Sequence, residues 1–357
     1  MSRFFSTKYA DLESYTPGEQ PQDMQYVKLN TNESPFAATD RAVIGAAHAA
    51  EKLHLYCDPE CRILTEKLAE HFDVGKRQVL VTNGSDEVLN FAFMAFCDQD
   101  TPALFPDVTY GFYQVFAQLN HVPFRQIPLK EDLSVDIEDY KKNEGTVFLA
   151  NPNANTGLAL DMDQVEEILQ ANPDHVVVID EAYVDFGAES MIPLTETYDN
   201  LLVIQTFSKS WSMAGARLGF GIASEELIGD LNTIKYSTNP YNVNSMTQAA
   251  GVGAIEDYGT IRENCLKIIR TREWAADALK QRGFEMTDSI ANFLFVRHPK
   301  IPGEYLYRKL KEMGILIRHF DGERIREYNR ITIGSRQQMQ RLMTAIDTIM
   351  KTMEETK

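Results

Sequence analysis

The stretch Thr206-Phe-Ser-Lys209-Ser-Trp-Ser-Met-Ala-Gly-Ala-Arg217-Leu-Gly-Phe220 lies between two apolar runs, Leu201-Leu-Val-Ile204 and Leu218-Gly-Phe-Gly-Ile222. Both runs read as strands, and their connection carries a lysine, serines and an arginine. A lysine desolvated between strands forms a Schiff base readily, and an arginine beside hydroxyls grips a phosphate. Taken alone, the same residues also describe a surface turn with a solvated lysine. The flanking sequence has to decide between the two.

Upstream, strand and helix signals alternate. Gln78-Val-Leu-Val-Thr82, Pro102-Ala-Leu-Phe105, Thr146-Val-Phe-Leu-Ala150 and His175-Val-Val-Val-Ile-Asp180 read as strands. Residues 85–97, 110–119 and 161–171 read as helices between them. Near-continuous Val, Ile and Leu suits strands covered on both faces. The alternation predicts an α/β domain on a mostly parallel sheet. The first thirty residues, polar and carrying Pro17, Gly18 and Pro21, read as an extended arm, followed by a strand signal at Val27-Lys-Leu-Asn30. Helical periodicity marks residues 40–55 and 61–72. Beyond about residue 224 helices dominate, and strand signals return at 292–296, 314–317 and 330–333 around a helix at 303–313, with a last helix from about 336. The expected organisation is an arm over residues 1–30, a large domain over 31–240 and a smaller α+β domain over 241–357.

Composition narrows the function. At 357 residues and 44% hydrophobic content the chain can bury a large core. A net charge of −17 argues against a nucleic-acid or anionic-membrane partner, so individually placed arginines become informative. No apolar run approaches a membrane span, and the polar start does not resemble a secretory signal. The cysteines Cys57, Cys61, Cys97 and Cys265 are scattered and read as free thiols, and no histidine spacing suggests a metal site. A cytoplasmic protein without a metal is the expectation.

In open α/β sheets ligands bind beyond the carboxyl ends of the strands. Gly84-Ser85-Asp86-Glu87 opens a helix there, either as a phosphate cradle or as an ordinary capping sequence. Tyr110 is placed to stack on a flat ring or simply to pack. Asn151-Pro-Asn153-Ala-Asn155-Thr-Gly157 is a turn by composition and equally a source of amide donors. Asp180 ends the most apolar strand, with Tyr183 three residues on. A carboxylate there is costly unless it meets a cation or caps a helix, and a protonated pyridine nitrogen is such a cation. Cradle, stacking ring, pyridinium partner, phenol and Schiff-base lysine together match the needs of pyridoxal phosphate. A dinucleotide fold would share the alternation, but no Gly-x-Gly-x-x-Gly follows a strand.

The chain resembles the fold-type I aminotransferases, and within them the histidinol-phosphate aminotransferase family. The resemblance runs through Lys28-Leu-Asn-Thr-Asn-Glu-Ser-Pro35, Leu55-Tyr56-Cys-Asp58-Pro-Glu60, Asn83-Gly-Ser-Asp-Glu87 and Thr206-Phe-Ser-Lys209. It continues in Ala214-Gly-Ala-Arg-Leu-Gly219, Pro240-Tyr-Asn-Val-Asn244, Ala291-Asn-Phe293, Gly314-Ile-Leu-Ile-Arg318 and Arg330-Ile-Thr-Ile-Gly334. It implies a seven-stranded, mostly parallel sheet between helices, a homodimer, and transamination between L-histidinol phosphate and 2-oxoglutarate in histidine biosynthesis. By the same resemblance Lys209 is the Schiff-base lysine, Asp180 pairs with the pyridine nitrogen, Tyr183 bonds the ring oxygen and Tyr110 stacks on the ring. Gly84, Ser85, Asp86, Thr206, Ser208 and Arg217 hold the cofactor phosphate, and Tyr56 reaches that of the partner subunit. Tyr15, Asn32, Arg318 and Arg330 are the implied substrate contacts, with Arg330 on the α-carboxylate.

One departure stands out. Where the family reads Asn-Pro-Thr-Gly, this chain has Ala154-Asn155-Thr156-Gly157, which moves the expected ring-oxygen contact to Asn153. An aromatic-amino-acid aminotransferase or a threonine-phosphate decarboxylase shares most of these motifs and is the alternative reading. A cofactor-binding sensor fused to a DNA-binding domain would need an N-terminal helix-turn-helix, for which the thirty residues before the first motif leave no room.

Overall fold

The computed structural model describes residues 2–10, 12–141 and 144–355. In chain order the first half folds as β1 (Val27–Leu29), α1 (Asp40–Ala50), α2 (Arg62–Phe72), β2 (Val79–Thr82), α3 (Ser85–Phe96), β3 (Ala103–Pro106), α4 (Phe112–Leu119) and β4 (Phe124–Ile127). Then come β5 (Thr146–Ala150), α5 (Met162–Ala171), β6 (Val177–Asp180), β7 (Leu201–Thr206) and β8 (Gly219–Ala223). The region in which helices are expected to dominate holds three, α6 (Glu225–Thr238), α7 (Ser245–Glu256) and α8 (Tyr258–Lys280). The rest comprises β9 (Glu285–Met286), β10 (Phe293–Arg297), α9 (Gly303–Glu312), β11 (Ile315–His319), β12 (Asn329–Thr332) and α10 (Arg336–Glu355).

The expected seven-stranded sheet is present in the order β2-β8-β7-β6-β5-β3-β4. Strands β4, β3, β5, β6 and β7 run parallel, while β8 is antiparallel to both β7 and β2. Strand periodicity sorts its side chains to two faces. Along β5, Val147 and Leu149 join one core with Leu64 and Leu68 of α2 and Val165 and Ile168 of α5. Phe148 between them joins the other, with Val88 and Phe93 of α3 and Phe116 of α4. Each such side chain contributes roughly 1.5–3 kcal/mol on full burial. Strands covered on both faces have no polar face to show, which is why they read as unbroken apolar runs. Strand β4 escaped that reading because it is an edge: Arg125 and Gln126 are exposed and only Ile127 is buried.

A five-stranded sheet, β1-β11-β12-β10-β9, forms from the two ends of the chain. Strand β1 pairs in parallel with β11 in the register Val27↔Ile315 to Leu29↔Ile317, and the other pairings are antiparallel. Its site-bearing consequence is local. The turn leaving β1 at residues 30–33 is delivered to the carboxyl end of the large sheet. No helix among the described residues is long and apolar enough to cross a membrane.

Candidate active site

Strands β6 and β7 end side by side, with Asp180 in register with Ile204, and α3 begins just after β2. Their ends frame a cavity of about 220 Å³ lined by Asp86, Tyr110, Asp180, Tyr183, Lys209 and Arg217, among others. The expected floor residues therefore meet in one place. Asp180 is buried; its Oδ2 accepts the Tyr113 O–H at 3.1 Å and its Oδ1 the Ala182 N–H at 3.2 Å. Burial pushes its pKa up to about 6, against the opposing pull of the Tyr113 bond. A buried carboxylate with two neutral donors is set to receive a cation.

Lys209 Nζ donates to the Thr31 carbonyl at 3.0 Å and lies 5.8 Å from the centre of the Tyr183 ring. Burial, then the positive charge of Arg330, lowers its pKa to about 8. Its loop is held by the Ser210 hydroxyl, which donates to the half-buried Asp185 carboxylate. The lysine thus presents a neutral amine near neutral pH far more often than a surface lysine does.

Around the start of α3 the backbone comes unusually close. Gly84 has φ +81°, and a Cβ there would meet Arg217 Nη2 at 2.7 Å; one on Gly219 would meet Ser85 N at 2.3 Å. Only glycine fits at both points. The helix has no side-chain cap, and Ser85 and Asp86 of its first turn line the cavity. The Thr206 hydroxyl lies 2.9 Å from Ser208 Oγ, and Arg217, turned back by a left-handed φ of 52°, reaches Ser208 Oγ at 3.4 Å. Asp86 accepts from Arg217 Nη2 at 2.9 Å and from the Tyr110 hydroxyl at 2.7 Å. Donors, hydroxyls and a guanidinium converging on a helix start make an anion site.

The rim belongs to the smaller sheet and the arm. Arg318 and Arg330 are direct partners across β11 and β12. Arg330 donates to the Ala154 carbonyl at 2.7 Å and to that of Asn30 at 3.5 Å, while its buried Nε has no partner among the described residues. Arg318 reaches the Thr16 carbonyl at 3.4 Å. Burial lowers the pKa of Arg330, opposed by the neighbouring phenols of Tyr183 and Tyr15 and helped by the charge of Arg318. Tyr15 packs at 4.3 Å from Phe112 and edge-on to Tyr110 at 6.4 Å, close enough for both guanidiniums to act on its phenol.

Three expected residues stand elsewhere. Both ends of the Asn153 side chain are engaged by backbone: Nδ2 donates to Val108 O at 2.9 Å, and Oδ1 accepts the N–H groups of Asn155 and Thr156 at 2.9 and 3.0 Å. Ala154 lines the cavity in its place. Asn32 is buried beneath the wall, with its amide donating to the Tyr183 hydroxyl at 3.0 Å. Tyr56 is 85% exposed, stacked on Tyr241 at 4.7 Å, and lines a separate apolar depression with Ile44, Leu55 and Ile63. The sequence reading passed over Tyr113, which is one helical turn from Tyr110 and carries the hydroxyl on Asp180, and the backbone carbonyl of Thr31.

The family model for aminotransferase class I and II matches residues 24–346, and the chain belongs to that family. It is 46% identical over 355 residues to a histidinol-phosphate aminotransferase of Brachyspira hyodysenteriae, covering 98% of this chain and 100% of that one. It is likewise 46% identical to histidinol-phosphate aminotransferase 1 of Bradyrhizobium diazoefficiens, covering 97% and 99%. Among solved structures, it matches the histidinol-phosphate aminotransferase of Sinorhizobium meliloti in complex with pyridoxal-5'-phosphate with a TM-score of 0.89 at 22% identity, covering 99% of both chains. The family resemblance read from the sequence is borne out.

Proposed function

We propose that the chain exchanges the amino group between L-histidinol phosphate and 2-oxoglutarate, with pyridoxal phosphate carried on Lys209. The observation that bears the proposal is the pairing, in one cavity, of a buried lysine of depressed pKa with the buried carboxylate of Asp180. The cavity's groups fit the cofactor. Asp180 would receive the protonated ring nitrogen, Tyr110 would stack on the ring, Tyr183 would bond its oxygen, and the α3 start with Thr206, Ser208 and Arg217 would hold the phosphate. When bound, the cofactor supplies an electron sink for the charge left on the substrate Cα. Lys209 Nζ, uncharged above about pH 8, takes the proton from that carbon and returns it.

Arg330 and Arg318 orient the reactants. Arg330, with a spare buried Nε, takes the α-carboxylate of glutamate or 2-oxoglutarate, and Arg318 with Tyr15 takes the phosphate end of the donor. The substrate assignment is supported by the relatives at 46% identity that carry that name. We further propose a homodimer in which the apolar face around Ile44, Leu55 and Ile63 is covered and the exposed Tyr56 reaches the partner's cofactor phosphate. A cytoplasmic setting suits four free cysteines.

The test is a panel of amino donors, histidinol phosphate, phenylalanine and threonine phosphate, assayed with 2-oxoglutarate. Histidinol phosphate is expected to give the highest kcat/KM, and preference for either of the others overturns the substrate. Lys209→Ala is expected to abolish turnover and the visible absorbance of bound cofactor; absorbance retained through a covalent bond would sink the mechanism.

A further inference from the structure

The turn after β1 touches both proton-handling groups of the floor. Thr31 O accepts from Lys209 Nζ at 3.0 Å, and Asn32 Nδ2 donates to the Tyr183 hydroxyl at 3.0 Å. What holds the turn is Thr332 on β12. Its Oγ1 accepts the Asn32 N–H at 2.9 Å and donates to Asn32 Oδ1 at 3.0 Å, while Asn292 Nδ2 binds the Asn32 carbonyl at 3.0 Å. Asn32 itself has a left-handed φ of 56°, a conformation that persists only when its surroundings hold it. Because Oδ1 takes the Thr332 proton, Nδ2 must face Tyr183. Because Tyr183 accepts that bond, its own O–H proton is directed away from Asn32. Thr332 also lies two residues from Arg330, so both side chains leave the same face of one strand.

Resting on the proposed cofactor reading, we propose that Thr332 is a positioning residue: through Asn32 it sets the direction of the Tyr183 hydroxyl and ties it to the strand whose Arg330 holds the substrate carboxylate. The charges facing these groups are otherwise fixed. Lys209 faces Arg330, Glu33, Asp86 and Arg217, and Tyr183 faces Arg330, Asp180 and Asp86. Substituting Thr332 alters none of them. A change in titration then reports hydroxyl orientation.

The experiment uses the dimeric holoenzyme as wild type, Thr332→Val, Thr332→Ser, Tyr183→Phe and the Thr332→Val/Tyr183→Phe double variant. Two readouts are taken: the pH midpoint of the colour change of bound cofactor, and kcat separately from KM for the amino donor. Thr332→Val is expected to raise the midpoint by about one pH unit and lower kcat about tenfold, the size of one hydrogen bond, with KM within about twofold. Loss of an oriented donor leaves the negative group it faces holding a proton more firmly. Thr332→Ser keeps the hydroxyl and is expected to restore both values. In the Tyr183→Phe background the valine change is expected to add less than about threefold. An unshifted midpoint in Thr332→Val, equal impairment of the serine variant, or full additivity with Tyr183→Phe would each overturn the role. Failure of the underlying reading shows separately, as a wild-type protein that acquires no visible absorbance with pyridoxal phosphate.

Discussion

The floor and the rim of the cavity differ in how their charges are balanced. On the floor, Asp180 has two donors, Asp86 bridges Arg217 and Tyr110, and Lys209 rests on a backbone carbonyl. On the rim, Arg318 and Arg330 face each other across a strand pair, lie over aromatic rings, and among the described residues donate hydrogen bonds to carbonyl oxygens. The floor is thus built to hold one resident group, whereas the rim keeps positive charge in reserve for an anion that comes and goes. Two guanidiniums in register repel, and that repulsion is relieved by a bound carboxylate or phosphate. On the proposed function, binding energy toward the reactants is concentrated away from the groups that move the proton.

The contrast can be broken from the floor first. Asp180→Asn is expected to lower kcat about a thousandfold, in line with loss of a preorganised charge at a reacting group. The same change is expected to stabilise the cofactor-free protein. A carboxyl whose folded pKa is raised to about 6 weighs against folding once it ionises, so the gain is absent below about pH 4, grows through pH 6 and is full above it. Thermal unfolding of cofactor-free wild type and Asp180→Asn at pH 4 and pH 8 checks this. A gain on the order of 2–3 kcal/mol is expected at the higher pH.

On the rim, Arg330→Lys is expected to cost about a hundredfold in kcat/KM with glutamate, because an ammonium cannot reproduce a bidentate grip. Steady-state kinetics with glutamate and 2-oxoglutarate checks it. Arg318→Ala sharpens the division further. It is expected to raise KM about tenfold for a phosphorylated donor and to leave that for glutamate within about twofold, which a side-by-side assay of both resolves. The smallest effect is one of pH. Cofactor loading onto the cofactor-free enzyme, followed by absorbance, is expected to speed up with pH and level off above about 8, as the Lys209 amine loses its proton.

The floor was legible before any coordinates because its residues punctuate apolar strands. Asp180 and Thr206 end runs of Val, Ile and Leu, and Lys209 and Ser208 follow within three residues. Sequence alone could not say where Asn153 points. Its loop closes on its own Oδ1, and its Nδ2 reaches the Val108 carbonyl 45 residues away, a contact that no local pattern announces. Nor could it show that Asn32 lies behind the wall, since that follows from the left-handed turn gripped by Thr332 and Asn292. Strand β4 had too little apolar content to announce itself, as an edge strand exposes its middle.

By itself, then, the amino-acid sequence determined the α/β architecture, the reactive lysine and the buried carboxylate, because periodicity and strand-end chemistry are properties of adjacent residues. The tertiary structure alone decided what stands opposite them. It brought β1 from the start of the chain beside β11 near its end, set Arg318 against Arg330, and hung Tyr183 and Lys209 from one turn latched by Thr332. Those contacts join residues as much as 300 positions apart. Their geometry comes from sheet register and packing, which no local pattern encodes.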